Sequence, residues 1–152
     1  MYGTNSDKGY KVNRMSLRIG IDIGSTTVKV VLLDEQNKLL FRSYERHYSK
    51  ARERAAETLR SLADRLAGRQ VRIVITGSAG LGVAKAAEID FVQEVYATAA
   101  AVNQYIPDTD AVIELGGEDA KIIFFGGGLE ERMNGSCAGG TGAFIDQMAT
   151  LM

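Results

Sequence analysis

Apolar residues alternate with polar or small ones twice in quick succession near the start of the chain. Ile19, Ile21 and Ile23 share one side of a first run, and Val28, Val30 and Leu32 share one side of a second. Period-two alternation on two adjacent runs predicts a β-hairpin. Its tip is Gly24-Ser25-Thr26-Thr27, with Asp22 at the end of the first arm and Lys29 on the second. After the polar turn Glu35-Gln36-Asn37-Lys38, the run 39–48 predicts a third antiparallel strand with two poorly distinguished faces, suited to a sheet edge. The sole histidine, His47, falls on this strand among arginines and tyrosine and is expected at the surface without a role.

From residue 49 to about 67 the period lengthens to that of a helix. Ser49 is the expected N-cap, Ala55, Leu59, Leu62 and Leu66 form one apolar stripe, and Gly68 closes the helix in a left-handed conformation. Residues 71–76 are apolar almost throughout, which predicts a central strand. Arrival through a helix favours parallel pairing. The turn Gly77-Ser78-Ala79-Gly80-Leu81-Gly82 then reads as a tight connection packing a short helix, 82–88, against the sheet. Its spacing departs from the dinucleotide-binding fingerprint. An alanine-rich helix over 96–105 ends before Pro107-Asp108-Thr109-Asp110, where the pattern breaks. Strands follow at 111–116, 120–125 and 129–133, the last two joined by a glycine turn, and a final helix at 141–152.

The second set of strands repeats the first. Aligning Asp22 with Glu114 places Gly24 on Gly116 and Lys29 on Lys121, with seven residues from acid to lysine in both copies. A Gly-Ser-Thr turn alone is commonplace, and a single strand lysine is ordinarily solvated. Two hairpins in register instead predict two related halves facing each other across a cleft. A carboxylate, a turn rich in N–H and hydroxyl donors, and an ammonium group together suit a metal-bound polyphosphate.

Composition narrows the picture without redirecting it. The 152 residues are 45% hydrophobic and 24% charged with a net charge of −1, as in an ordinary globular protein. Nothing in that balance favours a nucleic acid or an anionic membrane, and no apolar run is long enough to span a bilayer. The polar stretch 1–15 reads as a disordered tail without the apolar segment of a secretory signal. One cysteine excludes an intrachain disulfide, so a cytoplasmic location is the default.

The paired hairpins resemble those of the actin, sugar-kinase and Hsp70 superfamily. That resemblance implies an α/β fold in which ATP and Mg²⁺ sit between two ribonuclease-H-like lobes, each a mixed sheet flanked by helices. Residues 16–107 would form the first lobe and 108–152 the opening of a second, making the chain an N-terminal fragment expected to be inactive alone. Within the superfamily, Gly20-Ile21-Asp22-Ile23-Gly24-Ser25-Thr26-Thr27-Val28-Lys29, Glu114-Leu115-Gly116-Gly117-Glu118-Asp119-Ala120-Lys121 and Ser136-Cys137-Ala138-Gly139-Gly140-Thr141-Gly142 are similar to two related groups. These are the activators of 2-hydroxyacyl-CoA dehydratases and the ATPase subunits of benzoyl-CoA reductase.

The resemblance implies roles for particular residues. Asp22 would position Mg²⁺. Gly24, Ser25, Thr26, Thr27, Lys29, Gly116, Gly117 and Lys121 would bind phosphates. Glu114 and Glu118 would lie near the attacking water, at places where the family usually has aspartate and glutamine. Glu94 is similar to a recurrent family glutamate. Cys137 would ligate a [4Fe–4S] cluster shared across a homodimer. Four thiolates need two per subunit and this chain has one, so either the second lies beyond Met152 or no cluster forms. The partner would be an acyl-CoA dehydratase or reductase, separate or fused downstream. Two alternatives remain: a sugar or N-acetylsugar kinase, which lacks a convincing acceptor-binding acid here and gives Cys137 no role, and a non-catalytic nucleotide-sensing module.

Overall fold

The computed structural model describes residues 16–117, 119–133 and 141–151. Five strands form the first sheet: β1 (Ser16–Ile23), β2 (Thr27–Leu33), β3 (Leu39–Arg46), β4 (Gln70–Thr76) and β5 (Asp90–Phe91). Their order is β3-β2-β1-β4-β5. The strands β1, β2 and β3 are antiparallel neighbours, whereas β4 runs parallel to β1 and β5 parallel to β4. Short polar turns permit the antiparallel pairs, and a helical crossover produces the parallel one. The mixed sheet expected from the sequence is thus present, with β3 at its edge.

Alternation along β1 and β2 translates directly into a core. Leu17, Ile19, Ile21, Ile23, Val28, Val30 and Leu32 are almost wholly buried, joined by Ile75 from β4. Each such side chain contributes about 1.5–3 kcal/mol by leaving water. Helices α1 (Ala51–Ser61) and α2 (Ala63–Leu66) cover the sheet through Ala55 and Leu62, with Leu59 and Leu66 half-buried beside them.

The expected single helix over 49–67 is therefore divided. Leu62 ends α1, its N–H donating to Leu59 O in a tighter turn, and the apolar stripe runs through the break because Leu62 is itself buried. Ser49 is not the cap. Lys50 holds that position without a side-chain bond, while Ser49 has φ 63° and donates its N–H to His47 Nδ1. Gly68 has the left-handed φ expected of it, 70°.

Helices α3 (Gly80–Ala87) and α4 (Glu94–Tyr105) begin two residues earlier than their sequence pattern suggested. A second, three-stranded antiparallel sheet follows, β6 (Ala111–Leu115), β7 (Ala120–Phe124) and β8 (Glu130–Met133), in the order β6-β7-β8. It repeats the meander of β1, β2 and β3. The last described element is α5 (Gly142–Leu151). Among the described residues no helix is long and apolar enough to cross a membrane.

Candidate functional site

The two hairpins share one register. In the first, Asp22 faces Lys29 and Ile23 faces Val28, and Gly24 N–H donates to Thr27 O at 3.0 Å to close the turn. In the second, Glu114 faces Lys121 and Leu115 faces Ala120, and Gly116 N–H donates to Asp119 O at 2.7 Å. The tips meet. A Cβ added at Gly117 would lie 2.6 Å from Thr26 Oγ1, so only glycine allows this approach. At Gly24 the nearest atom to such a Cβ is 3.7 Å away, which leaves the space over that turn open. Gly142, at the start of α5, donates its N–H to Gly116 O at 2.8 Å and ties the last helix to the second turn.

Two recesses adjoin the contact. A narrow one of about 50 Å³ is lined by Gly24, Ser25, Thr26, Thr27, Lys29 and Ser78 on one side and Glu114, Gly116, Gly117, Asp119 and Lys121 on the other, with Glu94 beside them. A roomier one of about 290 Å³ lies between Thr26, Thr27, Lys29, Tyr44 and Arg46 and the segment Leu115, Gly116 and Gly117. Gly24, Ser25, Thr26, Thr27, Lys29, Glu114, Gly116, Gly117 and Lys121 thus come together at one opening.

The charges are arranged differently in the two hairpins. Lys29 Nζ donates to Asp22 Oδ2 at 2.7 Å and lies 5.5 Å from the centre of the Tyr44 ring. Burial pulls the Lys29 pKa down, but its hydrogen bond to Asp22 and the negative charges around it outweigh this and raise it above the usual 10.5. Lys121 does not pair with Glu114 across its own ladder. It donates instead to Glu94 Oε2, at the start of α4. Burial lowers its pKa, and the Glu94 hydrogen bond with the charges of Glu114, Glu94 and Glu131 raises it more.

Each hairpin keeps one carboxylate oxygen that is buried and without a partner, Asp22 Oδ1 and Glu114 Oε2. Gly77 stands directly behind the first, where an added Cβ would lie 2.5 Å from Asp22 Oδ1 and 2.3 Å from Ile23 O. Its φ of 100° is a second reason for glycine. Two unpartnered carboxylate oxygens suit Mg²⁺, a hard cation that takes one or two carboxylates and completes its shell with phosphate and water. Among the described residues no cluster of three or more His, Cys, Asp or Glu forms an all-protein metal cage.

Glu118 and Cys137 lie outside the described residues. His47, expected at the surface, is instead buried at 7% exposure behind the first turn. Its Nε2 is 3.1 Å from Gly24 O, and its backbone N–H donates to Thr26 O at 3.1 Å. A lone polar residue between arginine and tyrosine carries no periodic signal, so only the tertiary packing of the turn on β3 exposes this contact. Glu94 had only its likeness to a family glutamate; its bond to Lys121 joins residues 27 positions apart.

Residues 19–152 match the model of the BadF/BadG/BcrA/BcrD ATPase family. The chain belongs to this family. Among members described by curation, it is 31% identical to the 2-hydroxyisocaproyl-CoA dehydratase activator of Clostridioides difficile, over 88% of this chain and 52% of that protein. A solved structure of the activator of the 2-hydroxyisocaproyl-CoA dehydratase from Clostridium difficile, with bound ADPNP, superposes with a TM-score of 0.68 at 30% identity, covering 89% of this chain and 52% of the other. Component A of the Acidaminococcus fermentans (R)-2-hydroxyglutaryl-CoA dehydratase superposes with a TM-score of 0.73 at 24% identity, covering 89% and 53%. The chain thus spans about half the length of these BadF/BadG/BcrA/BcrD relatives, and its two sheets have the actin-like ATPase fold.

Proposed function

We propose that this chain is the nucleotide-gripping part of an ATP-hydrolysing activator that drives a low-potential electron to a 2-hydroxyacyl-CoA dehydratase or a related acyl-CoA reductase. The observation that carries this reading is the pair of hairpin turns, identical in register and touching at Thr26 and Gly117, that open on a common recess. The family, and the activators similar to this chain, support it. The N–H groups and hydroxyls of Gly24, Ser25, Thr26 and Thr27, with Gly116 and Gly117 opposite, would bind the phosphates of ATP. Lys29 would neutralise charge on them, as positioned cations do in phosphoryl transfer. Lys121 would add to that charge from the far side.

Asp22, paired with Lys29 beside the first turn, and Glu114, which lines the narrow recess, would hold Mg²⁺, which when bound offsets phosphate charge and orients the reacting group. Glu114 and Glu118 would lie beside the attacking water. Nucleotide states that differ in their contacts to the two turns would then shift the separation of the lobes.

Cys137 would supply one of the two thiolates per subunit that a [4Fe–4S] cluster shared across a homodimer needs. In the intact cytoplasmic homodimer, ATP hydrolysis should activate the partner dehydratase and should be lost in Lys29→Met. Undiminished hydrolysis by that variant would contradict the phosphate grip. Iron and sulfide analysis of the anaerobic protein, with and without Cys137→Ser, tests the cluster separately: iron unaffected by the substitution removes the cluster role and leaves the ATPase reading in place.

A further inference from the structure

The turn between β1 and β2 is braced from behind by a side chain that the chemistry above leaves unused. His47 follows the edge strand β3 and is buried. Three contacts define its state. Its backbone N–H donates to Thr26 O, its Nε2 lies 3.1 Å from Gly24 O, and Ser49 N–H lies 3.1 Å from its Nδ1. A backbone N–H can only donate, so Nδ1 is the acceptor and carries no proton. The ring proton therefore sits on Nε2 and is donated to Gly24 O. Ser49 N–H reaches the ring because Tyr48 and Ser49 take left-handed conformations, with φ of 47° and 63°. Non-glycine residues hold such conformations only where their surroundings compensate.

The direction of these bonds matters more than their number. No described peptide bond is cis, and in a trans peptide the carbonyl and the following N–H point opposite ways. With the carbonyls of Gly24 and Thr26 drawn toward His47, the N–H groups of Ser25 and Thr27 are turned away from it. An anion over the turn then meets donors and not carbonyl oxygens. Without the brace, either peptide plane could rotate and present oxygen.

We propose that His47 is a positioning residue of the phosphate turn: its Nε2–H tautomer and its backbone N–H fix two peptide planes so that their N–H groups face the nucleotide. This rests on the phosphate-binding reading of the turn. His47 is the sole histidine of the chain, so long-range ¹H–¹⁵N spectra identify its resonances without ambiguity, with no nucleotide present. The expected state is protonated Nε2 and bare Nδ1; the opposite tautomer overturns the proposal. In the intact protein, His47→Gln keeps a donor near the Nε2 position, whereas the shorter amide of His47→Asn can accept near the Nδ1 position but falls short of Gly24.

The Gln variant should bind ATP within about 3-fold of wild type and the Asn variant about 10-fold more weakly, the loss of one hydrogen bond, with adenosine affinity unchanged in both. Wild-type ATP affinity in His47→Asn, or an equal fall for adenosine and ATP, marks a merely structural role and overturns the proposal while the phosphate reading stands. A wild-type protein that does not bind ATP overturns both.

Discussion

The β1–β2 and β6–β7 hairpins have the same ladder register and the same turn closure, yet their lysines engage different acids. Lys29 stays within its hairpin on Asp22, whereas Lys121 leaves Glu114 and reaches Glu94 at the start of α4. The backbone repeat is therefore a duplication of shape and not of charge pairing. The first hairpin is a self-contained acid–lysine unit. The second uses its lysine to fasten the second sheet to α4, and so couples any change at that turn to the helix that follows β5.

The acids should therefore not be equivalent. Asp22→Asn removes both a Mg²⁺ oxygen and the partner of Lys29, and should cut ATP hydrolysis by about 100-fold or more, the scale of losing a preorganised electrostatic group. Glu114→Gln, whose neighbouring lysine is engaged elsewhere, should cost measurably less; equal losses would erase the asymmetry.

Glu94→Gln probes the fastening directly. It leaves the buried Lys121 ammonium without its charged partner and should destabilise the protein by about 1–3 kcal/mol in denaturant unfolding. The same pair predicts a pH dependence. The Lys121 pKa is raised on folding, so its stabilising contribution is complete below 10.5, the ordinary value, and is lost as pH rises through the higher folded value. Alkaline unfolding above that pH should be shallower in Glu94→Gln than in wild type. An unchanged curve would place Lys121 elsewhere.

The glycines sharpen the comparison further. Gly117→Ala forces a Cβ against Thr26 and should weaken ATP binding by about 10-fold, near the 1.4 kcal/mol that a modest steric shift costs. Gly24→Ala meets no protein atom closer than 3.7 Å in the free protein. Its affinity loss should therefore appear only through contact with the ligand. Identical losses in stability for both substitutions would contradict the contact between the tips.

What the sequence disclosed follows from where its signals are local. Alternation along β1 and β2 is a period-two property of neighbouring residues, and every apolar position it singled out from Ile19 to Leu32 is buried. The acid–glycine–lysine repeat is equally local, so both turns and their matched spacing are legible in the chain itself. The division at Leu62 was not, because a buried leucine continues the helical stripe through the break. Nor was the place of His47, which depends on two left-handed residues and on β3 lying against the first turn. The Glu94–Lys121 bond joins α4 to the second sheet and has no imprint in either segment. Gly24 stands open on the side a ligand would approach, whereas at Gly77 and Gly117 the protein's own atoms exclude a side chain.

The most direct test is a titration of the intact, ¹⁵N-labelled protein with the non-hydrolysable analogue ADPNP and Mg²⁺, following the backbone amides of Ser25, Thr27, Gly116 and Gly117. If one nucleotide is clasped by both turns, all four amides should shift together along a single binding curve. Shifts confined to one turn, or two curves with different midpoints, would contradict the shared grip.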